Sequence, residues 1–271
     1  MSFLYETHLH TCQGSACGVT PGREYPRRFQ DLGYDGIFVT DHFFQGNCAA
    51  PRTGRWADRV DAYMAGYYDA LEAGEKIGFK VFFGIEQNYR GDEYLLYGID
   101  REFLLAHEDM ERWPRERLFD EVRAWGGCAV QAHPFRERGY ITKIHLQLRG
   151  LDAIEGVNTG NKPHEDALAL KYAAFLGLPV TGGSDIHNVQ TATAERLCAV
   201  EFDEPLLSGA DYARRLRCGK APAIRYPVGR LDGIAAQLPA TPWEAGTTDE
   251  IDTRFKLEDI INDLEEKKHD A

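Results

Sequence analysis

The 271-residue sequence contains no apolar run approaching the ~20 residues that cross a bilayer, so a helical membrane anchor is not expected. Its six cysteines (Cys12, Cys17, Cys48, Cys128, Cys198 and Cys218) form no C-x-x-C pair and follow no framework spacing. Nothing at the N terminus resembles a secretory leader, and these features together predict reduced thiols and a cytoplasmic location. Internal repeats and low-complexity stretches are also lacking. Positive charge is scarce: 31 Lys and Arg stand against 43 Asp and Glu, for a net charge of -12. That balance argues against a nucleic-acid polymer as partner, because backbone binding needs clustered Lys and Arg to displace counterions. Part of the acidity is local, since residues 243–271 carry ten acidic side chains against Arg254, Lys256, Lys267 and Lys268.

What the sequence does contain is an alternation of short apolar runs and helical periodicity. Strands are predicted over Phe3–His8, Gly36–Thr40, Phe79–Ile85, Cys128–Ala132, Asp152–Val157, Leu178–Thr181 and Leu197–Phe202, with a further extended piece at Tyr94–Tyr97. Helices are predicted over Arg23–Leu32, Arg55–Ile77, Pro114–Trp125, Pro163–Leu176 and Gly209–Leu216, several of them stopped by glycine. Repeated strand-helix units favour a parallel sheet, and about seven of them favour closure into a barrel. The expected domain is residues 1–220. Residues 221–271 form an extension whose amphipathic stretch, Thr253–Lys268, would pack on the barrel or on a second subunit of a homo-oligomer.

Side chains with metal-ligand chemistry recur just after the strands. They are His8-Leu9-His10, Thr40-Asp41-His42, Gly84-Ile85-Glu86, His133-Pro134 and Gly183-Ser184-Asp185-Ile186-His187. Residues i and i+2 of a strand share a face, so His8 with His10, and Asp185 with His187, can converge on one point. Pro134 predicts an extended backbone at His133. Gly182-Gly183 permits close backbone approach before Asp185. Imidazole and carboxylate donors together suit Zn, Mn or Fe, and seven of them exceed the need of one cation. Two cations about 3.5–4 Å apart activate water for hydrolysis. Glu86 and Asp185 are the expected catalytic carboxylates, with Asp185 as a candidate proton acceptor. Arg136 and Arg23 are candidate partners for a substrate phosphate. His107, His145, His164 and His269 lack such neighbourhoods and read as surface or structural residues.

These motifs, with Ala132-His133-Pro134-Phe135 and Ile154-Glu155-Gly156-Val157-Asn158, resemble those of the polymerase and histidinol phosphatase (PHP) superfamily of metal-dependent phosphoesterases, from Leu4 to about Val200. The resemblance implies an α/β fold, a distorted (β/α)7 barrel carrying two or three divalent cations. It places His8, His10, Glu86 and Asp185 at one cation, Glu86 as a bridge to a second with His133, and His42 with His187 at a third. Two departures stand out. Residues 11–18 hold neither the Asp nor the His common in the superfamily, although Cys17 offers a thiolate or, alternatively, is an ordinary small residue. A His expected after the Glu is replaced, on this alignment, by Tyr94. The resemblance implies hydrolysis of phosphate esters by metal-activated water, and the acidic chain favours a small nucleotide or sugar phosphate. Histidinol phosphate remains an alternative substrate, without the Gly-Ser-Val-His segment of such phosphatases. An amidohydrolase would be expected to present a Lys at a strand end. The non-enzymatic alternative is a weakened domain that binds metal or phosphate to regulate a partner.

Overall fold

The structure, a computed structural model, describes residues 2–262. Strands β1 (Phe3–Glu6), β2 (Gly36–Val39) and β3 (Lys80–Tyr89) lie parallel and adjacent. β4 (Asp92–Tyr97) is antiparallel to β3 and to β5 (Cys128–Ala132). After the short β6 (Ile144–Gln147), strands β7 (Ala153–Asn158) and β8 (Val180–Gly183) resume the parallel order beside β5. The ring closes where Leu9 bridges Ile186 in parallel. There the His10 N–H donates to the Ile186 carbonyl at 2.8 Å, and the Ile186 N–H donates to the His8 carbonyl at 3.2 Å. The Glu6 carboxylate spans the same seam by accepting the His8 and Ser184 N–H groups, both at 2.9 Å. A Cβ on Gly183 would stand 2.5 Å from that of His8, so this contact requires glycine. Two antiparallel strands, β9 (Ala199–Phe202) and β10 (Ala223–Arg225), extend the sheet from the lower half of β1. The distorted seven-stranded barrel expected from the sequence is thus present, with one strand reversed.

Helices α1 (Tyr25–Asp31), α2 (Trp56–Tyr63), α3 (Ala65–Ile77), α4 (Arg101–Ala106), α5 (Arg115–Trp125) and α6 (Pro163–Leu176) cover the outside. α7 (Gly209–Arg217) closes the N-terminal end of the barrel, with Tyr212 packed on Phe38 and Tyr97 at ring separations of 5.0 Å. Phe82, Leu95, Val130 and Val200 fill the interior beneath the centre, and larger clusters lie between strands and helices. Filling that end leaves the opposite, C-terminal rim as the accessible one, as in barrels generally.

Several predicted elements differ in detail. The single helix expected over Arg55–Ile77 breaks at Met64, and α3 begins against the first loop, where Gly66 lies so close to Thr11 that a Cβ would collide with its hydroxyl. The strand expected to end at Ile85 continues to Tyr89. It turns through Arg90 (φ 59°) and Gly91 (φ 115°), two positive-φ residues of the kind a tight hairpin requires. α4, β6, β10 and a last strand, β11 (Trp243–Gly246), were not predicted. β11 pairs in parallel with β6, and Ala245, Phe255, Leu257 and Ile260 join the core cluster containing Tyr172. Residues 243–260 of the extension therefore pack against the barrel. Residues 257–262 are helical as expected, residues 253–256 form a turn and loop rather than the predicted first helical turn, and residues 263–268 of the predicted helix lie outside the described residues. Among the described residues, no helix is long and apolar enough to cross a membrane.

Candidate metal centre

All seven sequence-predicted ligands converge at the C-terminal rim. Glu86 is the hub: Oε1 lies 3.1 Å from His8 Nε2 and 3.1 Å from His133 Nε2, while Oε2 lies 2.7 Å from His42 Nδ1 and 3.5 Å from His10 Nε2. Asp185 Oδ1 lies 3.0 Å from His10 Nε2, and 3.5 Å from both His8 Nε2 and His187 Nδ1. The donors fall into overlapping triads, each within 4.8 Å: His8, Glu86 and His133; His8, His10 and Asp185; His42, Glu86 and Glu93; His10, His42 and His187.

The carboxylates and carbonyls behind these imidazoles fix which ring nitrogen faces inward. His8 Nδ1–H donates to Glu155 Oε1 at 2.9 Å, and His187 Nδ1–H donates to the Asp185 carbonyl at 2.9 Å, leaving each Nε2 free as a donor to metal. His10 is set by a relay: its Nδ1–H donates to Ser15 Oγ at 3.1 Å, and Ser15 Oγ–H donates to Asp41 Oδ1 at 2.7 Å. Glu155 also accepts the His133 N–H and the Asn158 side chain, both at 2.9 Å. Asp41 and Glu155, neither of them singled out as ligands from the sequence, thus orient the groups that are. Asp41→Asn is expected to weaken metal binding by roughly 10–100-fold, the usual cost of losing an orienting carboxylate. Competition against a calibrated chelator measures this, and unchanged affinity would count against the relay.

The centre fits cations on its own geometry. His8 Nε2, His10 Nε2, His42 Nδ1 and Glu86 Oε2 are buried and lack a hydrogen-bond partner, an arrangement that is costly unless a further group satisfies them. Without cations, charge is shared among the side chains. Burial pushes the Glu86 carboxyl up, but the His42 and His8 imidazoles more than offset it and hold it well below its ordinary value. Asp185 is likewise held down against burial, first by Arg136 and then by His8. Burial and the neighbouring His187 and His42 push the His10 pKa down. His8 and His42 are pushed up, because nearby carboxylates, Glu155 for His8 and Glu86 for His42, outweigh burial.

Two expectations about the ligands need correction. The missing donor after Glu86 is not at Tyr94, whose ring packs outward on Phe119 at 4.9 Å. One residue earlier, Glu93 lies 3.5 Å from both His42 Nδ1 and His133 Nε2. The hairpin explains the difference, since its register pairs Glu86 with Leu95 and Asn88 with Glu93 and so puts Glu93 on the face of Glu86. His133 is not extended despite the following proline; its φ is 29°. The Glu155 carboxylate holds its N–H while the ring turns towards Glu86. Asp185, at φ 53°, is a second strained position in the same rim.

The two arginines separate. Arg23 is 62% exposed, bonds Asp69, and lies outside the rim, so the structure does not bring it to the centre. Arg136 is buried there, with Nη1 2.6 Å from Asp185 Oδ2 and Nε–H donating to Asn161 Oδ1 at 2.8 Å. Cys17, half-buried, lines the same cavity as His187 and His42. Burial raises its pKa, but those two imidazoles more than reverse that and bring it to about 6.

Above the centre opens a cavity of about 730 Å³, lined among others by Cys17, His42, Glu93, Asp185 and His187, with Arg90, Arg136, Arg138 and Arg196 as its cations. Tyr140, 72% exposed, stands at the same mouth. A larger cleft of about 1170 Å³ adjoins it through Gln45, Asn88 and Arg90, but carries none of the clustered ligands.

No protein-family description matches the sequence, and no curated protein matches it. Among solved structures, the chain resembles a two-domain protein of Bacteroides vulgatus containing a predicted PHP-like metal-dependent phosphoesterase. The TM-score is 0.55 and the identity 16%, over 84% of this chain and 65% of that one. It also resembles the lesion-specific endonuclease EndoQ of Pyrococcus furiosus, with a TM-score of 0.51 and 12% identity over 83% of this chain and 58% of that one. The chain spans less than two thirds of either protein. At these identities the likeness establishes the architecture, and this chain has the fold of the PHP-like metal-dependent phosphoesterases.

Proposed function

We propose that this chain is a metal-dependent phosphoesterase acting on a small phosphorylated substrate such as a nucleotide or sugar phosphate, with no membrane partner. One observation carries the reading. A chain of net charge -12 gathers Arg90, Arg136, Arg138 and Arg196 at the mouth of a buried imidazole and carboxylate cluster. Guanidinium groups suit phosphate oxygens, and local positive charge is what an anionic substrate needs against the global field. Divalent cations, when bound, acidify water and neutralise charge on a phosphate. His8, His10, His133, Glu86, Asp185 and Glu93 would hold two of them, with His42 and His187 at the outer edge.

The residues themselves divide the remaining work. Arg136 fixes Asp185 through Oδ2 while Oδ1 faces His10, so both carboxylate oxygens are committed and Asp185 serves as a ligand. With its carboxyl held well below the ordinary range by Arg136, it is a poor proton acceptor, which revises the role expected from the sequence. Tyr140 offers an exposed ring on which a planar base can stack. The adjoining cleft, lined by Tyr89, Arg112 and Trp113, favours as a second reading a longer phosphodiester lying across both cavities.

The test is a panel of nucleoside monophosphates, sugar phosphates, p-nitrophenyl phosphate, bis-p-nitrophenyl phosphate and a single-stranded oligonucleotide, with added Zn, Mn or Fe(II). Turnover of small monoesters in preference to the oligonucleotide is the expected result. Preference for diesters would overturn the small-substrate reading. Metal binding without turnover of any phosphoester would overturn the enzyme reading and favour a regulatory domain.

A further inference from the structure

One side chain of the extension reaches towards the metal centre. Gly229 takes φ 80°, and the Arg230 N–H donates to the Pro227 carbonyl at 3.1 Å, a turn that presents Arg230 to the loop after β7. Its Nε–H donates to Asp166 Oδ2 at 2.9 Å, and Nη2 donates to the carbonyls of Asn158 and Asn161 at 2.9 and 2.8 Å. A planar guanidinium fork suits acceptors spread in this way, whereas an ammonium presents its protons from a single point.

Those acceptors lead to a ligand. Asp166, in the first turn of α6, uses its other oxygen, Oδ1, to accept the Asn158 N–H at 3.2 Å and the Asn161 side-chain amide at 3.3 Å. The Asn161 N–H donates to the Asn158 carbonyl at 2.9 Å and closes the turn. Both side-chain carbonyls then face Arg136: Asn161 Oδ1 accepts Nε–H at 2.8 Å, and Asn158 Oδ1 accepts Nη2 at 3.3 Å. The remaining end of Arg136, Nη1, holds Asp185 Oδ2 at 2.6 Å. Asn158, Asn161, Asp166 and Arg136 are all buried, so each of these bonds is costly to lose. Burial pushes the Asp166 carboxyl up to about 6, and Arg230 is the chief group opposing that rise.

We propose that Arg230 is a positioning residue for the metal centre: it fixes the Asn158–Asn161 turn, the turn holds Arg136, and Arg136 sets the Asp185 carboxylate. This rests on the metal-centre reading above and gives the extension a part in that centre. Removing the guanidinium leaves the buried Asp166 without its partner and takes a donor from two carbonyls. The turn is then free to rotate and Arg136 with it, so Asp185 Oδ1 loses its placement beside His10. A tie that served stability alone would leave cation affinity untouched.

The experiment measures Zn(II) affinity by competition with a calibrated chelator, which reads the centre without turnover. Arg230→Met is expected to weaken binding about tenfold, the low end for losing an outer partner of a ligand. Arg230→Lys keeps the charge but not the fork and is expected to lose at least about threefold, a second reading should Arg230→Met not fold. Arg215→Met is the control. That arginine is similarly buried and pairs with Asp211 at 2.8 Å on α7, at the opposite end of the barrel. Its loss is expected to lower Tm and leave Zn(II) affinity unchanged. In an Arg136→Met background, Arg230→Met is expected to have no further effect on affinity, because the two act in series. Wild-type affinity in a folded Arg230→Met or Arg230→Lys protein overturns the proposal. So does an equal loss in Arg215→Met, or additive losses in the double variant. The two proposals fail separately. Weakened Zn(II) binding in a protein that hydrolyses no phosphoester upholds the role of Arg230 and removes the enzyme. Phosphoester turnover with Zn(II) affinity indifferent to Arg230 removes that role alone.

Discussion

Glu86→Ala is expected to reduce phosphoester turnover by at least about a thousandfold, roughly 4 kcal/mol of transition-state stabilisation. The size of the effect follows from position. Glu86 is within 3.5 Å of four imidazoles, so it is the group through which neighbouring cations would share charge. Its loss should cost more than one ligand's worth of affinity, because it also removes the chief carboxylate that raises buried His42 and, after Glu155, the next one that raises buried His8. Elemental analysis should therefore show a loss of bound cation parallel to the loss of rate. A folded Glu86→Ala protein that keeps its metal and more than about a tenth of its turnover would overturn the hub assignment.

Chelation is expected to destabilise the protein by an amount that grows as pH rises from about 6 to about 8. In the cation-free state the two depressed carboxyls, Glu86 and Asp185, contribute stability above their ordinary values of 4.5 and 3.8, lost only as pH falls through the folded-state values. The raised histidines act in the opposite sense. His8 and His42 contribute fully below 6.5 and lose that contribution as pH rises through their higher folded values, and His187 does the same through about 8. His10, whose pKa is lowered, offsets part of this, because its neutral folded form is disfavoured below 6.5. The cation-free protein should thus be most stable in mildly acidic solution. Cation binding needs neutral imidazoles and releases protons, so it strengthens over the same interval in which the ion pairs fade. At a thousandfold excess of cation over Kd, one site contributes about 4 kcal/mol, on the order of 10 °C in Tm for a chain of this size. Thermal unfolding with and without chelator across this range checks the sign, and a gap that narrows with rising pH would refute it.

The barrel and the convergence of seven candidate ligands were legible because both depend on local pattern. Apolar runs mark buried strands, and a polar ligand just beyond such a run lands on the rim whatever the helices do. Glu93 was missed because its placement depends on pairing between strands. Once Arg90-Gly91 is read as a two-residue turn, counting back from Glu86 puts Glu93, not Tyr94, on the inner face. His133 was misjudged for a related reason: the proline rule describes a chain free to relax, whereas here Glu155, distant in sequence, holds the amide. Asp41 and Glu155 carry no sequence signal that separates an orienting carboxylate from a solvated one. Arg23 and Arg136 looked alike as isolated cations. Only burial and the pairing with Asp185 distinguish them.

The seam between Leu9 and Ile186 places one join of the barrel at the centre itself. Ring closure there uses two main-chain hydrogen bonds between the segments that follow β1 and β8, with the Glu6 carboxylate and the Thr7 hydroxyl, which donates to the Gly182 carbonyl at 2.7 Å, as stitches. His8 and His10 stand on one side of that join, and Asp185 and His187 on the other. A cation held by His8, His10, Asp185 and His187 would therefore also act as a clasp. Without one, the edge could part in a local opening well short of global unfolding. Occupancy of the centre and mechanical closure of the barrel would then be one equilibrium.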